Sequence, residues 1–429
     1  MSERSVDASA GAPAAPLRYQ PRPRPEWVRG ANAMGRAIDA KGVVLLDERS
    51  LLETAMANTG LSDFGEDDWR EPFGILLDDL ERHADLHLVG RLMTRSDLLV
   101  HLEGRLRVID WIKRHPEVEA QKIEAPVFVV GLPRSGTTIM EEILGADPNA
   151  RSVRMWEAKF PVPPPRPGDP SPDPRIARAE ALVGLQDAIT PEWASMHKVG
   201  GELPVECIEF TYSSFVSYAF SASFHVPNYT RWVAQNDHRT AFLWHEKILK
   251  ILQSGWKPQH WLLKGPTHLP VLPALFERYP DARLVLMLRD PVKATASVVD
   301  VSGTLFYMRS DNTALNKPHG QFIDGHPAVM ALQRVIEWSE SGTIPRERIQ
   351  AVPYLEFFAD PERGLEKLYG GLGLPLPTTS RRAMLDYLSS KPKDKFGHHE
   401  YAVGGDDLIA AERAKWEKVQ AWFGVRSEL

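Results

Sequence analysis

The sequence predicts an α/β protein in which helices flank a central, mainly parallel sheet. Two stretches predict it, because each combines a short apolar strand, a tight turn and the start of a helix. The first is APVFVVGLPRSGTTIMEEILG at residues 125–145, and the second is ARLVLMLRDPVKATASVVDV at residues 282–301. Apolar runs of about five residues are typical of strands buried on both faces, as in parallel sheets.

The first stretch predicts an anion-binding loop. Pro126–Val130 forms the strand, Gly131–Gly136 breaks it with glycine and proline, and Thr137–Leu144 places its apolar residues on one helical face. Backbone N–H groups converge at such a loop, and the helix dipole adds partial positive charge. The residues expected to bind a phosphate there are Arg134, Ser135, Gly136, Thr137 and Thr138.

The spacing of this loop is that of a P-loop, but one residue differs. Thr137 follows the second glycine, where a nucleoside triphosphatase carries lysine, and the positive charge is at Arg134 inside the loop. We find no apolar strand ending in an unpaired aspartate that would hold Mg²⁺. A nucleotide kinase or NTPase with a degenerate P-loop therefore stays an alternative, as does an ordinary glycine-containing turn.

The second stretch predicts another phosphate contact. Arg283–Leu288 forms the strand, Asp290 is placed to cap the next helix, and Pro291 to begin it. Ser297 falls on the apolar face of that helix. Arg289 at the strand end and Ser297 two turns into the helix are therefore expected to hold one phosphate between them.

Together these residues resemble the sulfotransferases that use 3′-phosphoadenosine 5′-phosphosulfate (PAPS), in particular bacterial members. PRSGTT is similar to the family's 5′-phosphosulfate loop, with Arg134 where cytosolic members often carry lysine. Arg289 and Ser297 match the family's 3′-phosphate pair. LKGPTHL resembles the Lys-Thr-His-Leu element with the catalytic lysine and histidine, with two residues inserted between Lys264 and His268.

The resemblance implies a transferase that moves a sulfuryl group from PAPS to a hydroxyl or amine and releases 3′-phosphoadenosine 5′-phosphate (PAP). His268 would be the general base, since an ordinary imidazole pKa of about 6.5 suits neutral pH. Lys264 and Arg134 would stabilise the negative charge that builds on the leaving oxygen, so that no metal is needed. Among the basic residues 391–399, where the family places a loop that closes on the 3′-phosphate, Lys395 is the predicted ligand.

The chain is expected to divide into three parts. Residues 1–25 are rich in alanine and proline, which indicates a disordered tail. In residues 26–122 apolar residues recur with the period of a helix, which predicts an N-terminal helical region. Residues 123–429 would form the sulfotransferase α/β domain, with a helical insertion at residues 154–258 that binds the acceptor.

The insertion contains a segment, residues 200–232, that is dense in aromatic and small polar residues. These aromatics suit either a protein core or the wall of a cleft for a flat or lipophilic acceptor. Such an acceptor would be typical of an enzyme of secondary metabolism. Glu206 lies in Pro-Val-Glu-Cys, which is similar to an element of related bacterial sulfotransferases. The predicted acceptor-binding residues are His197, Glu206, Phe210 and Tyr212.

Composition limits the other classes of function. The chain has 429 residues, 43% of them hydrophobic, and a net charge of −6, which argues against a nucleic-acid binder. A lone cysteine, Cys207, excludes an internal disulfide. No run approaches the roughly 20 apolar residues of a membrane span, and no secretory signal is visible, so a cytoplasmic location is expected. No sequence pattern indicates an oligomeric state.

Two further alternatives remain at this point. A dehydratase-like enzyme on the same scaffold would sulfate an alcohol and then eliminate the sulfate. A non-catalytic nucleotide-binding module would use the same loop, although the presence of both Lys264 and His268 counts against it.

Overall fold

Five parallel strands form the central sheet in the described residues, 19–312, 326–391 and 406–428, of this computed structural model. The spatial order of the strands is β2-β3-β1-β4-β5. Their bounds are Val127–Gly131 (β1), Ala150–Arg151 (β2), His260–Lys264 (β3), Arg283–Leu288 (β4) and Ile349–Pro353 (β5). The predicted fold class, a mainly parallel sheet flanked by helices, is confirmed.

The first strand lies at the centre of the sheet, and its two neighbours come from later in the chain. Val129 of β1 pairs with Lys264 of β3 on one side, and Gly131 pairs with Met287 of β4 on the other. Because parallel strands end at the same edge, the residues that follow β1, β3 and β4 meet there. In open α/β sheets this reversal of strand order is where ligands bind.

Successive residues of the strands face two different cores, as expected for a sheet buried on both sides. Phe128 and Val130 of β1 belong to the core that includes Ile248 and Leu275 from the helices on one face. Val127 and Val129 belong to the core that includes Met140, Ile143, Leu365 and Leu368 from the helices on the other face.

Helices account for most of the remaining described chain. The N-terminal helices are Glu26–Ala37 (α1), Ala40–Val43 (α2), Glu48–Thr59 (α3), Arg70–Arg82 (α4) and Leu88–Arg114 (α5). Those from the first strand to the third are Thr137–Leu144 (α6), Met155–Lys159 (α7), Pro174–Ile189 (α8), Trp193–Met196 (α9), Ile208–Thr211 (α10), Tyr218–Ser223 (α11), Pro227–Gln235 (α12) and Arg239–Gly255 (α13). The later ones are Leu272–Arg278 (α14), Pro291–Tyr307 (α15), His326–Glu340 (α16), Tyr354–Ala359 (α17), Pro361–Leu372 (α18), Thr378–Ser390 (α19) and Asp406–Phe423 (α20). Short 3-10 helices cover Asp67–Trp69, Pro116–Val118, Tyr212–Ser214, Pro266–Val271 and Arg346–Arg348.

The two strand–turn–helix units form as the sequence predicts. The first strand is displaced by one residue from the predicted Pro126–Val130, and α6 has the predicted bounds. Asp290 caps α15, because its Oδ1 accepts a hydrogen bond from the backbone N–H of Val292 at 3.0 Å. Pro291 is the first residue of α15, as predicted.

Most aromatic residues of the insertion belong to a core. Phe215 and Tyr229 are fully buried, Phe215 packs against Trp69 and Phe73 of the N-terminal region, and Tyr229 donates its hydroxyl to the Phe215 carbonyl at 2.7 Å. Of the two interpretations of this segment, core packing is confirmed for these residues. The insertion and the N-terminal helices therefore share one apolar cluster.

Two sequence predictions concern parts of the chain outside the described residues. Residues 1–18 of the predicted tail and Lys395 are among them. None of the helices in the described part of the chain combines the length and apolar character that a membrane-spanning segment requires.

Candidate active site

The loop between β1 and α6 has a conformation that depends on glycine. Gly136 has φ of +99°, and a Cβ at this position would lie 2.7 Å from the Tyr354 ring. Arg134 also has a positive φ, +68°, which is uncommon for a residue with a side chain and is found where a site constrains the backbone. The loop therefore has a tight conformation, in which the Ser135 N–H donates to the Leu132 carbonyl at 3.1 Å.

The loop contains a hydroxyl that is free to donate a hydrogen bond to an anion. Ser135 is 1% exposed, and its Oγ has no hydrogen-bond partner among the described residues. A buried hydroxyl without a partner costs free energy, which a bound ligand would recover. Thr137 is buried and Thr138 exposed at the first turn of α6, where the helix dipole favours negative charge. An unpaired buried hydroxyl and the positive end of the α6 dipole thus lie in the same loop.

Arg134 projects from this loop toward the insertion. Its side chain is exposed, and its Nη1 donates a hydrogen bond to the carbonyl of Met196, at the end of α9, at 3.1 Å. The next residue along the chain is His197, one of the predicted acceptor-binding residues.

Lys264 ends β3, and its ammonium group lies between two carboxylates, one buried and one partly exposed. Its Nζ lies 3.0 Å from Glu141 Oε2 and 3.5 Å from Glu206 Oε1, and it donates to Thr138 Oγ1 at 3.4 Å. The side chains of Lys264 and Glu141 are 4% and 3% exposed, whereas Glu206 is 21% exposed. Burial alone would lower the pKa of Lys264, but the two carboxylates outweigh burial and hold that pKa above its usual value. Lys264 is therefore a fixed cation beside the anion loop.

Glu206 and His197 belong to the same group of side chains. The segment of Glu206 is attached to the end of β3, because the Cys207 N–H donates to the Lys264 carbonyl at 2.7 Å. Burial lowers the pKa of His197, Glu206 raises it, and Lys264 and Arg134 lower it, so all four side chains are electrostatic neighbours. The structure thus brings together predicted donor-binding and acceptor-binding residues.

Arg289 lies on the opposite side of the loop, at the end of β4. Its guanidinium stacks over the Tyr354 ring, 4.4 Å from the centroid, and forms an ion pair with Glu428. Ser297 lies in α15, as predicted, but its side chain is outside what the structure describes.

His268 occupies a different environment from the one expected of a general base. Its ring is 4% exposed and packs among Phe128, Phe242 and His245, with centroids 5.3 to 6.0 Å apart. Its Nε2 is buried with no hydrogen-bond partner among the described residues. The expectation of an ordinary imidazole pKa is wrong, because burial lowers the pKa of His268 to about 3.

A second buried cluster contains His268. The donor atoms of Cys207, His245 and His268 all lie within 4.8 Å of one another, and the Tyr279 hydroxyl lies 2.7 Å from His245 Nδ1. Cysteine and histidine are the ligands that zinc and copper take. Its members are far apart in the sequence, and no motif indicates their meeting.

Two of the predicted acceptor-binding residues are placed in packed surroundings. Phe210 is 2% exposed, and its ring packs on His245 with centroids 4.7 Å apart. Tyr212 is partly buried and stacks on His101 at 4.7 Å. Both rings therefore pack against other aromatic side chains of the described residues.

Comparisons with known proteins agree with this geometry. Residues 126–378 match the model of the family described as the sulfotransferase family. The chain is 24% identical over 310 residues to the omega-hydroxy-beta-dihydromenaquinone-9 sulfotransferase Stf3 of Mycobacterium bovis and of Mycobacterium tuberculosis, covering 68% of this chain and 72% of each relative.

Two solved structures are similar over almost their whole length. Sulfotransferase STF9 from Mycobacterium avium is 26% identical, with a TM-score of 0.77, 90% of this chain covered and 98% of that chain. Sulfotransferase STF1 from Mycobacterium tuberculosis H37Rv is 27% identical, with a TM-score of 0.71, 87% of this chain covered and 98% of that chain.

Proposed function

The chain belongs to the sulfotransferase family, and we propose that it transfers a sulfuryl group from PAPS to a hydroxyl (or amine) of a small lipophilic acceptor. One observation carries the proposal. Lys264 ends β3, the anion loop follows β1 and Arg289 follows β4, so the loop lies between these two cations at one edge of the sheet.

The loop residues would hold the 5′-phosphosulfate of the donor. Backbone amides of the loop, the hydroxyls of Ser135, Thr137 and Thr138, and the guanidinium of Arg134 are the donors available. The unpartnered Ser135 Oγ supports this assignment, because it needs an acceptor that the described protein atoms do not supply.

Arg289 and Ser297 would hold the 3′-phosphate. Arg289 is fixed by its stacking on Tyr354, and a guanidinium binds phosphate oxygens in a bidentate manner. This site and the anion loop follow adjacent strands, because β4 pairs directly with β1.

In the transfer step, the bond between sulfur and the bridging phosphate oxygen breaks, and a bond between sulfur and the acceptor oxygen forms. PAP leaves with the bridging oxygen, whose negative charge Lys264 and Arg134 stabilise. The acceptor proton passes to a base. A divalent metal is not needed, because the leaving group is a phosphate that these cations already hold.

Two residues are candidates for that base. His268 is the candidate from sequence, but its ring is almost fully buried among aromatic rings. Glu206 is the candidate that the geometry favours, because its carboxylate is 21% exposed and lies 3.5 Å from Lys264 Nζ. We therefore propose that Glu206 receives the acceptor proton and that His268 packs behind the site.

The acceptor class follows from the relatives and from the surroundings of the site. Stf3 is named for a menaquinone derivative that carries a terminal hydroxyl, which is a lipophilic alcohol. In this chain, His197 and Glu206 of the insertion lie near Lys264 and Arg134 and would contact such a hydroxyl.

We expect the protein to bind PAP at least tenfold more tightly than adenosine 5′-phosphate, without magnesium. The reason is that the 3′-phosphate of PAP accepts charge-assisted hydrogen bonds from Arg289 that adenosine 5′-phosphate cannot accept, and each is worth about 1.5–3 kcal/mol. Isothermal titration calorimetry in the presence of EDTA measures both affinities.

The matched control is Arg289→Gln, which should lower the affinity for PAP to that for adenosine 5′-phosphate. Equal affinities of the unmodified protein for the two nucleotides would refute the donor assignment. A requirement for Mg²⁺ would instead support a kinase or NTPase.

A further inference from the structure

A carboxylate of the chain itself, that of Glu428, contacts Arg289 at the end of β4. Arg289 Nε lies 2.9 Å from Glu428 Oε1, and Arg289 Nη2 lies 3.0 Å from Oε2. Lys293, in the first turn of α15, adds a third contact, with its Nζ 3.1 Å from Oε2. The Glu428 side chain is only 7% exposed. This is the planar, bidentate arrangement with which arginine binds carboxylates and phosphates alike.

The backbone of Glu428 is held by Asp290, the residue that caps α15. The Glu428 N–H donates to Asp290 Oδ2 at 2.7 Å, and Arg413 of α20 contacts the same oxygen at 3.1 Å. Residues 425, 426 and 428 line one side of a cleft whose other side includes Arg289 and Tyr354. The hydrogen bond from the Glu428 backbone to Asp290 thus holds the Glu428 side chain beside Arg289.

We infer that Glu428 occupies the position that the 3′-phosphate of the donor takes, and that Lys293 is a further ligand of that phosphate. The inference rests on the proposed function, since it assumes a donor with a 3′-phosphate. The carboxylate and the phosphate compete for the same cations, so donor binding requires Glu428 to leave.

The 3′-phosphate of the donor binds Arg289 and Lys293 more strongly than Glu428 does, but Glu428 still lowers the apparent affinity for the donor. A phosphate carries more negative charge than a carboxylate and offers three oxygens to Arg289 and Lys293, so it replaces Glu428. The apparent affinity for the donor is nevertheless reduced by the fraction of molecules in which Glu428 is bound. A nucleotide without a 3′-phosphate leaves Glu428 in place. Glu428 therefore sets how strongly the site selects for the 3′-phosphate.

Glu428→Gln tests the inference, because it keeps the shape of the side chain and removes the charge. We expect the affinity of this variant for PAP, measured by calorimetry, to rise about tenfold. This corresponds to Glu428 being bound to Arg289 in about nine-tenths of the unmodified molecules. Its affinity for adenosine 5′-phosphate should stay within about twofold of the unmodified protein. Lys293→Gln should weaken PAP binding about tenfold and leave adenosine 5′-phosphate binding unchanged.

The matched control is Glu417→Gln, an exposed position on α20 that removes the same charge without touching Arg289. It should change neither affinity. If the unmodified protein prefers PAP and Glu428→Gln leaves that affinity unchanged or lowers it, Glu428 positions Arg289 and the inference fails alone. If the unmodified protein binds both nucleotides equally, the proposed donor fails, and the inference fails with it.

Hydrogen exchange gives a second readout that does not depend on affinity. PAP should speed the exchange of the Glu428 amide, because the hydrogen bond to Asp290 is lost when the segment leaves. Adenosine 5′-phosphate should not. Slower exchange of this segment with PAP would contradict the inference.

Discussion

Replacing Lys264 with methionine is expected to slow sulfuryl transfer by about 10²–10³-fold, the usual effect of removing one group that stabilises transition-state charge. Lys264 Nζ is fixed within 3.5 Å of Glu141, Glu206 and Thr138, so it stabilises the leaving oxygen without moving. The measurement is the single-turnover rate of product formation with saturating PAPS.

The same substitution is expected to destabilise the fold, which requires a control. Removing one partner of a buried ion pair costs about 3–5 kcal/mol in the free energy of unfolding, because the other charge stays buried. Glu141→Gln in combination with Lys264→Met removes that lone charge and should recover much of the stability while the rate stays low. Recovery of the rate in the double variant would show that Lys264 acts only through the fold.

The second large effect concerns the base. Glu206→Gln is expected to lower the single-turnover rate by about 10²–10⁴-fold, the usual range for general-base catalysis. Because Glu206 is partly exposed, the melting temperature and the affinity for PAP should change little. The rate, the melting temperature and PAP titration on the same preparation separate these effects.

His268→Gln is the matched variant for the alternative. The His268 ring packs against Phe128 and Phe242, so its replacement should lower the free energy of unfolding by about 1–3 kcal/mol. Its rate per folded molecule should stay within a few-fold of the unmodified protein. A folded His268→Gln protein with a rate reduced 10²-fold or more, beside an active Glu206→Gln protein, would restore His268 as the base.

The parts of the site that local patterns encode were predictable from sequence. The loop of Arg134 lies between an apolar run and a helical period, and Asp290 and Pro291 mark the start of α15, so strand, turn and helix could each be located. The meeting of Lys264 with this loop was predictable only through the family resemblance. It depends on β3 pairing with β1 across more than a hundred residues.

The parts that depend on side-chain direction and distant contacts were not predictable. A glutamate in a short helix is usually exposed, so nothing in the sequence indicated that Glu141 is buried against Lys264. Glu428 lies far from Arg289 in the sequence, and its contact arises from the path of the chain after α20. The sequence predicts His268 on the reacting side of its turn, whereas its ring is buried in the core. Backbone position alone does not determine which way a ring points.

Transfer of labelled sulfate to a lipophilic alcohol tests the central claim most directly. The protein is incubated with ³⁵S-labelled PAPS, EDTA and a panel of long-chain and polyprenyl alcohols and phenols, and the organic phase is counted, with Lys264→Met/Glu141→Gln as the control. We predict labelled, acid-stable organic product that needs no divalent metal and is lost in the control. Organic-phase label no higher than in that control for every acceptor, with PAP bound no better than adenosine 5′-phosphate, would contradict the account.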